Sequence, residues 1–372
     1  MKSALRIAAA LAAFLAVTPL FADGDSQHGD SDSLRPLTLA VFGDWPYSQY
    51  LLDNAHLLVD SVNSDRDVDL VVHVGDLHSG SMPCTSAGIL PPIATSSPGW
   101  NQAVFYQFQQ FREPVVYTPG DNEWADCHKS KQFSSGAPLK ELSSVRSLFF
   151  SQPGRTLGRQ VKQVSSQTDY FDPAFPADSQ FVENLMWMDS RVVFATMNIP
   201  GGSNDDASPW SGTFADPAAQ AQEATDRRAA NLRWLQTAFD QARSALARAV
   251  VLIVQADMWD PEALAAGGAG LGNYTPFVAK LADLSLQFRR PVLLLNGDTH
   301  LYHADQPLAD PASATGVIHH TPAVPNLTRI VVQGSTNNPG EWLRLRIDPR
   351  TSQVFSWQNV VYCTDPAGSV CQ

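Results

Sequence analysis

Four apolar runs in this chain each stop at Gly-Asp, and that repeated ending constrains the fold more than any other feature. Leu37-Thr38-Leu39-Ala40-Val41-Phe42 ends in Gly43-Asp44, and Leu70-Val71-Val72-His73-Val74 ends in Gly75-Asp76. Pro114-Val115-Val116-Tyr117-Thr118-Pro119 ends in Gly120-Asp121-Asn122-Glu123, and Val292-Leu293-Leu294-Leu295-Asn296 ends in Gly297-Asp298-Thr299-His300. Apolar runs with few polar breaks suit parallel strands covered by helices. In open α/β sheets, ligands gather at the carboxyl ends of such strands. One Gly-Asp is an ordinary strand-to-turn junction. Four of them put carboxylates on one rim, where they repel each other unless cations lie between them. A metal site is the first expectation.

The chain has 372 residues, enough for a large core, and its 17% charged and 9% aromatic residues are those of an ordinary globular protein. A net charge of -12 argues against nucleic-acid backbones and anionic membranes as partners. The N-terminus reads as a signal peptide over residues 1–22. Lys2 and Arg6 form its positive flank, Ile7 to Leu20 its apolar stretch, and Ala22 is a small residue for cleavage. Residues 23–33 are polar and read as a disordered start to the mature chain. Residues 34–372 show no internal repeat or clear linker and read as one domain. A periplasmic or secreted location follows, and with it the possibility of disulfides. The four cysteines allow three connectivities. Cys84 and Cys127 each follow a Gly-Asp motif, so they are paired here, as are Cys363 and Cys371. The absence of Cys-x-x-Cys spacing argues against a zinc site built on them.

Between the motifs, Leu51, Leu52, Ala55, Leu58, Val59 and Val62 are spaced as one helix face leading to the Leu70 strand. Further helices are predicted over Trp100 to Phe111, Leu139 to Phe150, Asp216 to about Arg248, and Tyr274 to Phe288. Asp216-Pro217 supplies a capping carboxylate and a first-turn proline. Leu232, Leu235, Phe239, Ala242 and Leu246 are that helix's packing stripe. Strands are predicted at Arg191 to Met197 and Val250 to Val254, the second ending in Gln255-Ala256-Asp257. Thr328 to Val332 and Trp342 to Ile347 are expected as closing, antiparallel strands. The Asn198-to-Asn204 loop is placed to reach the rim.

Taken in order, the strand endings Asp44, Asp76, Asp121-Asn122-Glu123, Gln255 and Asp298-Thr299-His300 resemble the calcineurin-like metallophosphoesterases, which include the purple acid phosphatases. The order of blocks matches over roughly residues 37 to 348. The resemblance implies a four-layer α/β/β/α sandwich with two divalent cations on one rim, and attack on phosphorus by a metal-bound hydroxide. It makes Asp76 the bridging ligand, Asp44 and His300 ligands of the first metal, and Asp121 a ligand of the second. Asn122 stands where the family has the His that contacts the substrate phosphate.

Departures from the pattern are just as informative. Pro46 replaces a ligand His, Gln255 replaces the strand-end His, and Asp298 replaces the first His of the last block. The second metal would then be held by Asp76, Asp121, Gln255 and Asp298, all through oxygen. Such a set favours Mg, Mn or Ca, with Fe or Zn still possible. Tyr47 or His78 is placed to fill the vacancy at Pro46, though His78 also suits a hydrogen bond within its own loop. Ser79 stands where the iron-binding tyrosine of the purple acid phosphatases would fall, which argues against an iron–tyrosinate centre. Asp257 is a substitute for Gln255 as a ligand. Glu123 reads as a loop support, and Trp45 and Trp124 as packing or cleft residues. Two functions compete: an exported phosphoesterase acting on a small phosphoester, and a catalytically degenerate metal- or ligand-binding protein of the same fold. Three lost His ligands favour the second, whereas the retained carboxylates favour the first. Nothing in the sequence selects a substrate or an oligomeric state.

Overall fold

The computed structural model describes residues 34–84, 99–205, 209–367 and 371. The expected signal peptide, the polar start at 23–33 and most of the 79–99 loop lie outside these residues. Strands β1 (Leu37–Phe42), β2 (Leu70–His73) and β3 (Val115–Tyr117) run parallel side by side, with Phe42 opposite His73 and His73 opposite Tyr117. All their residues are buried, as expected for parallel strands covered on both faces. Two short helices, α1 (Gln49–Asp53) and α2 (Ala55–Ser64), link β1 to β2. They meet at Asn54, where one continuous helix is expected from the spacing, yet all six apolar positions are buried as that spacing requires. Helix α3 (Trp100–Phe108) precedes β3, and α4 (Pro138–Phe149) follows it.

The second sheet contains β4 (Ser165–Ser166), β5 (Leu185–Asp189), β6 (Val192–Thr196), β7 (Ala249–Ile253), β8 (Val292–Asn296), β9 (His303–Asp305) and β10 (Leu327–Val331). Its order is β4-β5-β6-β7-β8-β10-β9, with β6, β7, β8 and β10 parallel. The chain then returns to the first sheet through β11 (Gly340–Ile347) and β12 (Phe355–Cys363), giving the order β12-β11-β1-β2-β3. The last strands therefore differ from expectation. β10 and β11 belong to different sheets, each with its own antiparallel partner, β9 and β1.

Alternation along the strands builds the layers. Phe194, Val251, Ile253, Leu293 and Leu295 face a cluster shared with Leu39, Val41 and Val71 of the first sheet. Their neighbours Val193, Ala195, Val250, Leu252 and Leu294 face Trp234, Leu235, Phe239, Val278 and Leu281. Those five lie on α6 (Pro217–Ser244) and α8 (Thr275–Phe288), reached past the short α5 (Gly201–Asp205) and α7 (Pro261–Ala265). A further short helix, α9 (Ala314–His319), precedes β10. Helices α2 and α3 cover the first sheet through Leu58, Val59, Val104 and Phe108. The result is the four-layer α/β/β/α sandwich. Burying each of these side chains contributes about 1.5–3 kcal/mol, and a one-residue slip would exchange both faces of a strand, so register is fixed.

Asp216 caps α6 by accepting from Ala219 N at 3.0 Å, as its sequence context predicts. The far end stops short of Arg248. Leu246 sits past the helix with a positive φ of 53° and is 60% exposed, so it drops out of the packing stripe.

Candidate metal centre

At one rim the carboxyl ends of β1, β2 and β3 meet those of β7 and β8. The turns that leave these strands are tight. Asp44 (φ 49°), Asp76 (62°), Asp298 (78°) and His300 (65°) all hold left-handed backbone. For residues other than glycine this costs of order 1–3 kcal/mol each, and such strain collects at functional sites. Gly120 is required beside it, because a Cβ there would lie 2.0 Å from Asp76 Oδ1. Glu123 supports the loop as expected, accepting from Gly120 N at 2.7 Å and Tyr117 OH at 2.6 Å.

Two nodes share Asp76. At the first, the Tyr47 hydroxyl lies 2.9 Å from Asp76 Oδ2, 3.2 Å from Asp44 Oδ1 and 3.3 Å from His300 Nε2. Asn122 Nδ2 donates to both the Tyr47 oxygen (3.1 Å) and Asp76 Oδ2 (2.8 Å). At the second, Gln255 Nε2 lies 3.4 Å from Asp76 Oδ2, 3.3 Å from Asp121 Oδ1 and 3.2 Å from Asp298 Oδ1. The Gln255 carbonyl faces away and accepts from Gly201 N. The Asn198-to-Asn204 segment thus does reach the rim. Asp298 Oδ2 is held by the Asp257 amide at 2.9 Å.

Charge is scarce compensation here. Burial, then Asp121 and other neighbouring carboxylates, pushes Asp76 well above the usual carboxylate range. Asp298 is raised in the same way, by burial and Asp121. Burial, with Asp126 beside it, pushes Asp121 up to about 7. Burial raises the Tyr47 phenol strongly. Although burial lowers His300, its hydrogen bond to Asp44 and the nearby charge hold it above its ordinary value.

Asp44, Asp76 and His300 have ligand atoms within 4.8 Å of one another. Asp44 Oδ2 is buried there without a hydrogen-bond partner among the described residues. Asp76 Oδ2 also accepts from Asn122 Nδ2 and Asp44 Oδ1 from Asp298 N, so Asp44 Oδ2 is the oxygen of this node left without a donor among the described residues. These residues fit a divalent cation. The second node does not fit as it stands, because an amide nitrogen, which cannot ligate, fills its centre.

His78 is apart from both nodes. Its Nδ1 faces Ser79 O at 3.1 Å, its Nε2 has no partner among the described residues, and burial lowers its pKa to about 4. Of the two residues considered for the place left by Pro46, it is Tyr47 that enters the node. Asp257 is turned to Arg329, Thr299 Oγ1 and Trp259 N rather than into the centre. Trp45 and Trp124 are fully packed. The sequence reading missed Lys131, whose side chain is 53% exposed and pairs with Asp126 Oδ2 at 3.0 Å. Its Nζ and Asn122 Oδ1 pack against Gly80, where an added Cβ would lie 3.0 Å and 2.7 Å from them. The lysines at 129 and 131, directly after the third Gly-Asp block, were the available signal. Cys84 pairs with Cys127 and Cys363 with Cys371, as paired from the sequence.

A carboxylate-rich centre on the shared rim of two sheets, in α/β/β/α order, defines the class: a metallophosphoesterase-type sandwich. Residues 37–211 match the model of the calcineurin-like phosphoesterase family. No curated protein is similar in sequence at a significant level. Among solved structures, one similar chain is described as "GAP50 the anchor in the inner membrane complex of Plasmodium". It is 10% identical, with 89% of this chain and 90% of that one covered and a TM-score of 0.36.

Proposed function

We propose that this chain is an exported, metal-dependent phosphoesterase acting on a small phosphoester. The observation that carries the reading is the convergence of Asp44, Asp76 and His300 around a buried oxygen of Asp44 that lacks a partner among the described residues. Two carboxylates, an imidazole and the Tyr47 oxygen suit Mg, Mn or Ca, and are compatible with Fe or Zn. A cation held there supplies positive charge against the phosphoryl oxygens. Asn122 spends its amide hydrogens on Asp76 and Tyr47, so its role is to hold these two in place. Export is supported by the N-terminal signal pattern and by two disulfides, which persist in oxidising compartments. Among the described residues, no helix is long and apolar enough to cross a membrane.

A second reading, a catalytically silent member of the fold, is favoured by the Gln255 nitrogen and the Tyr47 hydroxyl standing among the ligands. Turnover of aryl phosphate mono- and diesters with Mg, Mn, Ca, Fe and Zn separates the two. The phosphoesterase reading predicts cation-dependent turnover that falls by about 100-fold or more in Asp76→Asn, with bound metal lost and circular dichroism unchanged. Unchanged metal content and turnover in that variant would reject the assignment. Absence of turnover with every cation would favour the silent member.

A further inference from the structure

We infer that Gln255 fills the second cation position from within, so that this chain binds a single divalent cation where the sequence pattern implies a pair. The inference rests on the proposed centre at Asp44, Asp76 and His300. Gln255 Nε2 lies 3.2–3.4 Å from one oxygen each of Asp76, Asp121 and Asp298, at the middle of that ligand set. Its orientation is fixed from the other end, where the carbonyl accepts from the Gly201 amide. Turning the side chain over would aim a carbonyl at three carboxylate oxygens and set an NH2 group against the Gly201 N–H donor. Glycine at 75 leaves the room that the Gln255 stem occupies. A Cβ on Gly75 would lie 2.6 Å from Gln255 Cγ. Glycine at 201 is part of the same fit, since a Cβ there would lie 2.6 Å from Asp298 Oδ1 and 3.0 Å from Asp121 Oδ2. An amide nitrogen has two protons to give and no lone pair for a metal. It therefore substitutes for a cation as a donor and excludes one as a ligand. The first node differs because its central atom, the Tyr47 oxygen, is itself able to ligate.

The test is the stoichiometry of Mn²⁺ binding to the full chain, by isothermal titration calorimetry and by metal analysis after gel filtration. Wild type should bind one Mn²⁺ per chain. Asp44→Asn should abolish it, and Asp298→Asn should leave it at one. Gln255→His and Gln255→Glu, which exchange the donor for a ligand, should each admit a second ion. Two ions in the wild type would overturn this inference while leaving the proposed phosphoesterase centre intact; none would overturn both. If neither Gln255 variant folds, the wild-type count alone decides.

Discussion

Tyr47 is where the chemistry of the rim concentrates. Its oxygen has Asp76 at 2.9 Å, Asn122 at 3.1 Å, Asp44 at 3.2 Å and His300 at 3.3 Å. A phenol donates one proton and accepts at most two, so this oxygen is over-supplied with acceptors, and added positive charge relieves it. If Tyr47 completes the ligand set, Tyr47→Phe should weaken Mn²⁺ binding by about tenfold or more in calorimetry, by analogy with the effect of losing a ligand-supporting group. Tighter binding in that variant would show the hydroxyl to be a competitor of the cation instead. The six positions that the family resemblance implies as ligands, Asp44, Asp76, Asp121, Gln255, Asp298 and His300, do come together, because all of them follow strands that end on one rim. Which way the Gln255 amide faces is not such a property. It depends on Gly201, 54 residues earlier in the chain, and no local pattern encodes it. Asn122 is similar, since its spent donors follow from where Tyr47 lies.

At the level of elements, β2 carries His73 into the core, where Nε2 faces Trp45 O at 3.0 Å and Nδ1 accepts from Gly75 N at 3.1 Å. Burial drives its pKa down to about 4, against about 6.5 when exposed. Above about pH 6.5 the ring is neutral folded or unfolded and adds nothing to pH dependence. Below that, only the unfolded chain takes the proton, so stability falls as pH drops from about 6.5 to about 4, by roughly 3 kcal/mol in all. His73→Gln should show a shallower loss of stability over that window in urea denaturation at stepped pH. An identical slope would contradict the neutral, buried assignment. The strands that escaped the sequence reading did so for local reasons. β6 was expected from its apolar run, but its partner β5 was not, because the two are joined by Ser190 and Arg191, both at positive φ (49° and 57°), a tight hairpin without the usual Asn-Gly or Asp-Gly signature. β12 is an edge strand whose exposed side chains broke the apolar run.

Over the whole molecule, disulfides and rim contacts tie distant segments to the two sheets. Cys84–Cys127 closes 43 residues and joins the loop after β2 to the loop after β3. Its removal in Cys84→Ser/Cys127→Ser should cost about 2–4 kcal/mol, read as a lower urea midpoint. An unchanged midpoint would mean that this crosslink constrains neither loop. Asp44 O accepts from Ser335 N at 3.2 Å and from Ser335 Oγ at 2.6 Å, and Thr118 Oγ1 donates to Met197 O at 3.2 Å. The rim is therefore held by both sheets rather than by one loop. The layered architecture was legible through the family resemblance and not through periodicity, because strands buried on both faces carry no alternation of apolar and polar side chains. The return of β11 to the first sheet was not, because its partner β1 lies near the other end of the chain.

Whether Asp44, Asp76 and His300 hold a divalent cation is read directly by anomalous diffraction from crystals grown with Mn²⁺. One anomalous peak should lie within bonding distance of Asp44, Asp76 and His300, and none among Asp121, Asp298 and Gln255. An empty position at Asp44, Asp76 and His300 in Mn²⁺-saturated crystals would contradict the proposed centre.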